Sequence, residues 1–248
     1  MDDPTVDELS GLARSGRDHD SLLAVEDSGN AAGVTLLRRD GRVTGFARVT
    51  GAQNVDWEDL ATGTRADGAP EVYVADIGDN EKRRSDVQIY VVAEPRPGAA
   101  ATAPARRLNL RYPDGAHDAE TLLFDPIRRE VIIVTKDLIG ARSYRAGTGD
   151  APGSSAELRR GPAVPLGVVT AGDVSADGRT VALRSYGTLA VWRRRGSEPL
   201  TQTLARSPCR APASLAPEGQ GEALALAADG RSAITAPEGS RPLLRRYR

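Results

Sequence analysis

Ser10, Glu58, Glu120, Thr170 and Glu222 carry side-chain oxygens and stand at matching places in short segments that recur along the chain. The segments read Ser10-Gly-Leu-Ala, Glu58-Asp-Leu-Ala, Glu120-Thr-Leu-Leu, Thr170-Ala-Gly-Asp-Val-Ser and Glu222-Ala-Leu-Ala-Leu, spaced by 48, 62, 50 and 52 residues. If these positions meet on one axis, three carboxylates face each other. At about 6 Å and an effective dielectric of about 20, each pair of charges costs roughly 3 kcal/mol. Protonation could relieve that repulsion, and so could a hard cation. A set of carboxylate and hydroxyl oxygens without nitrogen or sulfur suits calcium, with magnesium or a metal-free pairing to arginine as the alternatives.

Each segment is followed within about 20 residues by a more apolar strand, namely Leu22-Leu-Ala-Val, Val72-Tyr-Val-Ala, Val131-Ile-Ile-Val, Thr180-Val-Ala-Leu and Ala233-Ile-Thr. Turns such as Asp177-Gly178-Arg179 and Asp229-Gly230-Arg231 join the two, because glycine tolerates the positive φ of a tight hairpin. A third strand follows (Val34-Thr-Leu-Leu, Val87-Gln-Ile-Tyr-Val-Val, Leu189-Ala-Val-Trp), and often a fourth, such as Val43 to Val49 or Leu200 to Leu204. One antiparallel meander per repeat describes a propeller blade. The chain therefore reads as an all-β, five-bladed β-propeller in a single domain, with blades near 8–53, 54–113, 114–165, 166–206 and 219–248. A six-bladed ring with one degenerate blade and a flat β-sandwich are the alternatives. The Ala/Pro-rich stretch from Pro95 to Ala105 accounts for the long second repeat.

In a propeller the start of each first strand and the end of each second strand share one mouth of the channel. That rule gathers Asp27, Asn30, Asp76, Asp79, Asn80, Lys136, Arg184, Tyr186 and Glu238 around the five oxygens, as a rim for a polar small molecule, glycan or peptide. Asp76, Asp79 and His117 are the candidates for proton handling in a hydrolytic site. His19 falls in a hairpin turn at the far end, and Trp57 is expected to pack between blades. No Ser-His-Asp set, phosphate loop or nucleophile elbow can be assembled.

Composition narrows the classes. With 33 basic and 34 acidic residues the formal charge is −1, which gives no nucleic-acid footprint. The single Cys209 excludes an internal disulfide and a multi-cysteine zinc site. No apolar run reaches the roughly 20 residues of a membrane span, and we expect a monomer. Met1 to Ser10 lacks the layout of a leader, while the fifth repeat is about a strand short. The last blade could have three strands, Asp2 to Glu8 could supply part of a fourth, or the natural chain could start upstream of Met1, which is the expectation favoured here.

The strings Glu8-Leu-Ser-Gly-Leu-Ala, Asp56-Trp-Glu-Asp-Leu-Ala, Asp76-Ile-Gly-Asp-Asn, His117-Asp-Ala-Glu-Thr-Leu, Val134-Thr-Lys, Asp173-Val-Ser-Ala-Asp-Gly and Gly221-Glu-Ala-Leu resemble a group of actinobacterial β-propellers. That group is in turn similar to the phytase-like, esterase-like propellers. A more distant likeness is to calcium-activated nucleotidases (apyrases), five-bladed propellers with a central calcium, matched at Ser10, Glu58, Glu120 and Glu222. Thr170 stands where that family is expected to place a serine. The resemblance implies a central Ca²⁺ and, since similar proteins are often exported, millimolar calcium around the protein. It leaves two roles open: a binding or structural propeller, or a calcium-dependent hydrolase of phosphate or carboxylic esters. Counterparts of the nucleotidase substrate-binding residues are missing.

Overall fold

In a computed structural model that describes residue 6 and residues 8–149, 155–209, 213–239 and 242–248, the chain forms five sheets around an axis, each built on an antiparallel meander. Blade 1 consists of Leu9–Arg14, Ser21–Glu26, Gly33–Arg38 and Val43–Arg48, and blade 2 of Trp57–Thr64, Pro70–Asp76, Val87–Ala93 and Arg106–Arg111. Blade 3 contains Ala119–Asp125, Glu130–Thr135, Ala141–Gly147 and Arg159–Val164. Blade 4 contains Ala171–Val174, Thr180–Arg184, Thr188–Arg193 and the two-residue strand Ala213–Ser214. Blade 5 has three strands among the described residues, Gly221–Leu226, Ala233–Pro237 and Arg245–Tyr247. The molecule is a five-bladed β-propeller, and the inner strand of each blade lies beside those of its two neighbours. Residues 2–5 and 7, named above for a partial fourth strand, lie outside the described residues.

Five hydrophobic clusters fill the five gaps between blades, so the core is a ring. Trp57 and Leu60, for example, pack with Ala13, Leu23 and Val34 between blades 1 and 2. Leu9, Leu12 and Leu22 meet Ala223, Ala225 and Ile234 between blades 1 and 5, which closes the circle. Short alternating strands suffice because each face of every inner strand is covered by a neighbouring blade. The hairpin glycines behave as expected, with φ of 69° at Gly178 and 65° at Gly230.

The excursions between blades lean backwards. Ala101, within the Ala/Pro-rich stretch, bridges in parallel to Arg48 at the outer edge of blade 1. Ser155–Glu157, in the span assigned to blade 3, pairs in parallel with Arg106–Arg111 of blade 2. The segment Leu200–Leu204, expected as a strand, is a short helix whose Leu200 and Leu204 pack into the cluster between blades 3 and 4 with Val164 and Ala141. Apolar residues at both ends of a five-residue segment fit either element, and Pro199 just before it accepts the first helical hydrogen bonds from Gln202 and Thr203. Each excursion thus shields an outer strand whose N–H and C=O groups would otherwise form an open edge.

Candidate metal centre at the acidic mouth

Four of the five recurring oxygen-bearing residues sit at β-bulges. The register slips between Leu9 and Gly11, Trp57 and Asp59, Ala119 and Thr121, and Gly221 and Ala223, leaving Ser10, Glu58, Glu120 and Glu222 as the extra residues. A bulged residue opposes no partner and its neighbours change faces. Trp57 accordingly turns into the core between blades 1 and 2, while Asp59 turns towards blade 3, where its Oδ2 accepts the Leu122 N–H at 2.8 Å. Blade 4 has no slip; Ala171 pairs directly with Arg184, so Thr170 stands just before the strand.

The two hydroxyls act as ties between blades. Ser10 Oγ donates to Trp57 C=O at 2.9 Å, and Thr170 Oγ1 donates to Gly221 C=O at 2.7 Å. Each thereby fixes the residue immediately before a glutamate of the next blade. Glu58, Glu120 and Glu222 are all buried. Burial, with Glu120, Asp27, Asp56 and Asp118 nearby, pushes the Glu58 carboxyl up to about 11. Glu120 rises to about 8 through burial, partly offset by the Lys136 ammonium that pairs with it. Glu222 is also raised by burial, with Asp27 among the opposing charges. One oxygen of Glu120, Oε2, is buried with no hydrogen-bond partner among the described residues.

Ligand oxygens of Asp27, Asp56 and Glu58 lie within 4.8 Å of one another. Asp56 is the member that repeat comparison missed, although it sits two residues before Glu58; burial and the Asp27 charge raise it to about 6. Asn54 holds this corner together. Its Nδ2 donates to Glu26 C=O at 3.1 Å and Asp27 C=O at 2.7 Å, and its Oδ1 accepts the Trp57 N–H at 3.1 Å. The loop after Asp76 closes over the carboxylates at Gly78, where a Cβ would collide with Glu58 and Asp56. Asp118, adjacent to His117, is a further acid near this group.

The proton-handling candidates are engaged otherwise. Asp79 accepts the N–H groups of Arg83 and Arg84 at 2.9 and 2.8 Å and shapes its own loop. Asp76 Oδ1 accepts from Arg84 at 2.8 Å and from the Asp56 N–H at 3.2 Å, while its Oδ2 is buried without a hydrogen-bond partner among the described residues. His117 turns away from the axis towards the third strand of its blade, where it meets Tyr144 Oη at 2.9 Å, Asp114 at 3.1 Å and Arg142 at 3.1 Å.

The rim set divides in the same way. Lys136 lies 5.5 Å from the centre of the Tyr186 ring. Glu238 accepts from Gln220 at 2.5 Å and feels Glu222 and Asp27. Asn30 donates to Glu8 at 2.7 Å, and Asn80 is exposed. Arg184 is withdrawn from the rim; fully buried, it pairs with Glu218 at 3.0 Å and donates to Ala223 C=O at 3.1 Å, joining blade 4 to blade 5.

No protein-family model matches the sequence, and no curated protein does. Among solved structures the chain is similar to the PQQ-bound form of an aldose sugar dehydrogenase from Streptomyces coelicolor, at 11% identity and a TM-score of 0.52, over 94% of this chain and 88% of that one. Hydrazine synthase of Kuenenia stuttgartiensis aligns over 100% of this chain and 96% of that one, at 14% identity and a TM-score of 0.49. The Dos1 propeller aligns over 96% of this chain and 56% of its own, at 12% identity and a TM-score of 0.43. At these identities the likeness to the dehydrogenase concerns the fold alone.

Proposed function

We propose that this protein is a calcium-centred propeller whose acidic mouth binds a hard divalent cation, and that the ion joins blades 1, 2, 3 and 5 beneath a rim for a polar ligand. The observation that carries this reading is the convergence of Asp27, Asp56 and Glu58 within 4.8 Å, beside the unpartnered buried oxygen of Glu120. The donors are all oxygens, which fits calcium better than zinc or copper. Asp27, Asp56 and Glu58 would hold the ion, with Glu120 and Glu222 within the same field. Ser10 and Thr170, expected as direct ligands, would instead hold the strands that carry Glu58 and Glu222. When bound, the ion supplies the positive charge that the carboxylates lack.

A binding or structural role is favoured over ester hydrolysis because Asp76, Asp79 and His117 are engaged in hydrogen bonds that shape loops. Lys136, Tyr186, Asn30, Asn80 and Glu238 would meet a polar small molecule, glycan or peptide at the rim. A site of this kind, working where calcium is millimolar, needs only modest affinity.

The test is a calcium titration of metal-stripped protein, followed by calorimetry and thermal melting, for the wild type, Asp27→Asn and Glu58→Gln. One ion per chain is expected, with a calcium-dependent rise in Tm that both substitutions abolish. A wild-type Tm that does not move at about 10 mM calcium, roughly ten times the Kd of the weakest extracellular sites, overturns the reading. Calcium-dependent turnover across a small ester and nucleotide panel would turn it towards the hydrolase.

A further inference from the structure

The opposite end of the propeller gathers arginines at one place. There a cavity of about 410 Å³ opens between blades 1 and 5, and Arg14, His19, Arg39, Arg246 and Arg248 line it. These residues come from three kinds of position that the fold brings to one end: the close of an inner strand, a first hairpin turn, and third strands or the residues just after them. The same rule that assembles acids at one mouth assembles arginines here.

None of the four arginines forms an ion pair with a described carboxylate, whereas Arg38, one residue before Arg39, pairs with Asp18 at 2.8 Å. Arg14 ends the inner strand of blade 1 and is half-buried. It lies close enough to Asp173 to favour that carboxylate's charged form, yet its Nε is buried without a hydrogen-bond partner among the described residues. Among the described residues one side-chain carboxylate, Asp229, lines the cavity, and its Oδ1 already accepts the Arg231 N–H at 3.0 Å. Leu22 and Ile234 form an apolar wall, which lowers the local dielectric and strengthens any ion contact made against it. Guanidinium groups present planar pairs of N–H donors that match two oxygens of one anion.

We infer that this cavity is an anion site for a multiply charged oxyanion of the phosphate class, free or as the phosphate end of a small molecule, with Arg14, Arg39, Arg246 and Arg248 as its donors. The volume falls in the range of small-molecule sites. Calcium at the acidic mouth is not required, so the site stands or fails independently of the function proposed above.

The experiment is calorimetric titration of the full chain with pyrophosphate, in EDTA so that no calcium can bridge anion to protein. One saturable site per chain is expected for the wild type and for Glu58→Gln. Arg39→Gln and Arg246→Gln should each weaken it several-fold, and the double substitution at least tenfold with Tm preserved, since these side chains have no described ion-pair partner to lose. Arg83→Gln, on the acidic face, should leave it unchanged. Glycerol phosphate in a parallel titration separates the two forms of ligand: tighter binding than pyrophosphate assigns the organic one, weaker binding the inorganic one. Absence of saturable binding by the wild type, or equal weakening by Arg83→Gln and Arg39→Gln, overturns the inference.

Discussion

Both ends of the channel bury carboxylates matched to arginines, but the acidic mouth also leaves several acids facing one another. At the basic end Asp125 is fully buried and fully matched, with Arg194 donating to both oxygens at 2.6 and 2.8 Å and the Ile127 and Arg128 N–H groups adding 2.9 and 3.1 Å bonds. Glu94 likewise accepts from Ser15 and from the Gly16 N–H. At the acidic mouth Glu58, Asp56 and Asp27 face each other, and oxygens of Glu120 and Asp76 have no described partner. A buried acid that serves the fold brings its own donors. One left facing other acids must be compensated by a proton or by a cation.

The sharpest way to break this contrast is to remove a matched partner. Arg194→Met strands the Asp125 charge in the core between blades 3 and 4 and is expected to cost about 3–5 kcal/mol in urea denaturation at neutral pH. A loss below about 1 kcal/mol would show that the two ends are not built differently.

The unmatched acids should respond to pH rather than to mutation. In metal-free protein Asp56, Glu120 and Glu58 have folded values raised to about 6, 8 and 11 from 3.8, 4.5 and 4.5. The folded state therefore binds more protons than the unfolded state above about pH 4, so these groups contribute most below that point and their contribution falls as pH rises. The expected slope is up to about 1.4 kcal/mol per pH unit for each proton retained, flattening as Asp56 and then Glu120 ionise. Calcium must displace such protons, so at pH 7 its binding should release at least one, and its affinity should rise with pH. Calorimetry in buffers of different ionisation enthalpy measures the release; none detected would separate the ion from Glu58.

Gly78→Ala places a methyl group against Glu58 and Asp56 and should weaken calcium binding about tenfold, roughly 1.4 kcal/mol. Calcium titration reads it directly, and an unchanged affinity would move the ion away from this corner. The smallest effect is expected at Ser10→Ala, which removes one tie to Trp57 C=O and should cost about 1 kcal/mol with or without calcium. A larger loss seen only with calcium present would make Ser10 a ligand after all.

Strand order and the alignment of Ser10, Glu58, Glu120 and Glu222 were legible because a repeat of about 50 residues imposes the same alternation five times. Less legible was anything carried by a single residue within a repeat. His117 and Asp118 are neighbours, yet His117 meets Tyr144 and Asp114 while Asp118 lies near Glu58 and Glu120, a division that residue type alone does not predict. Arg184 reads as a rim cation by position, yet the missing side chain of Gly221 lets its guanidinium pass inwards to Glu218. Asp56 has acidic counterparts two residues before Ser10 and Glu120, in Glu8 and Asp118, so the signal for it was present in the repeat although only the aligned position itself was read.

By itself the sequence determined a ring of five meanders and the end of the channel to which each polar residue belongs, since hydrophobic alternation and hairpin glycines act over a few neighbouring residues. Only the tertiary structure decided which acids are matched and which confront one another, and that arginines from blades 1 and 5 share a cavity. Charges interact across space over several ångströms, and the distances between side chains 20 to 230 residues apart exist only once the ring has closed.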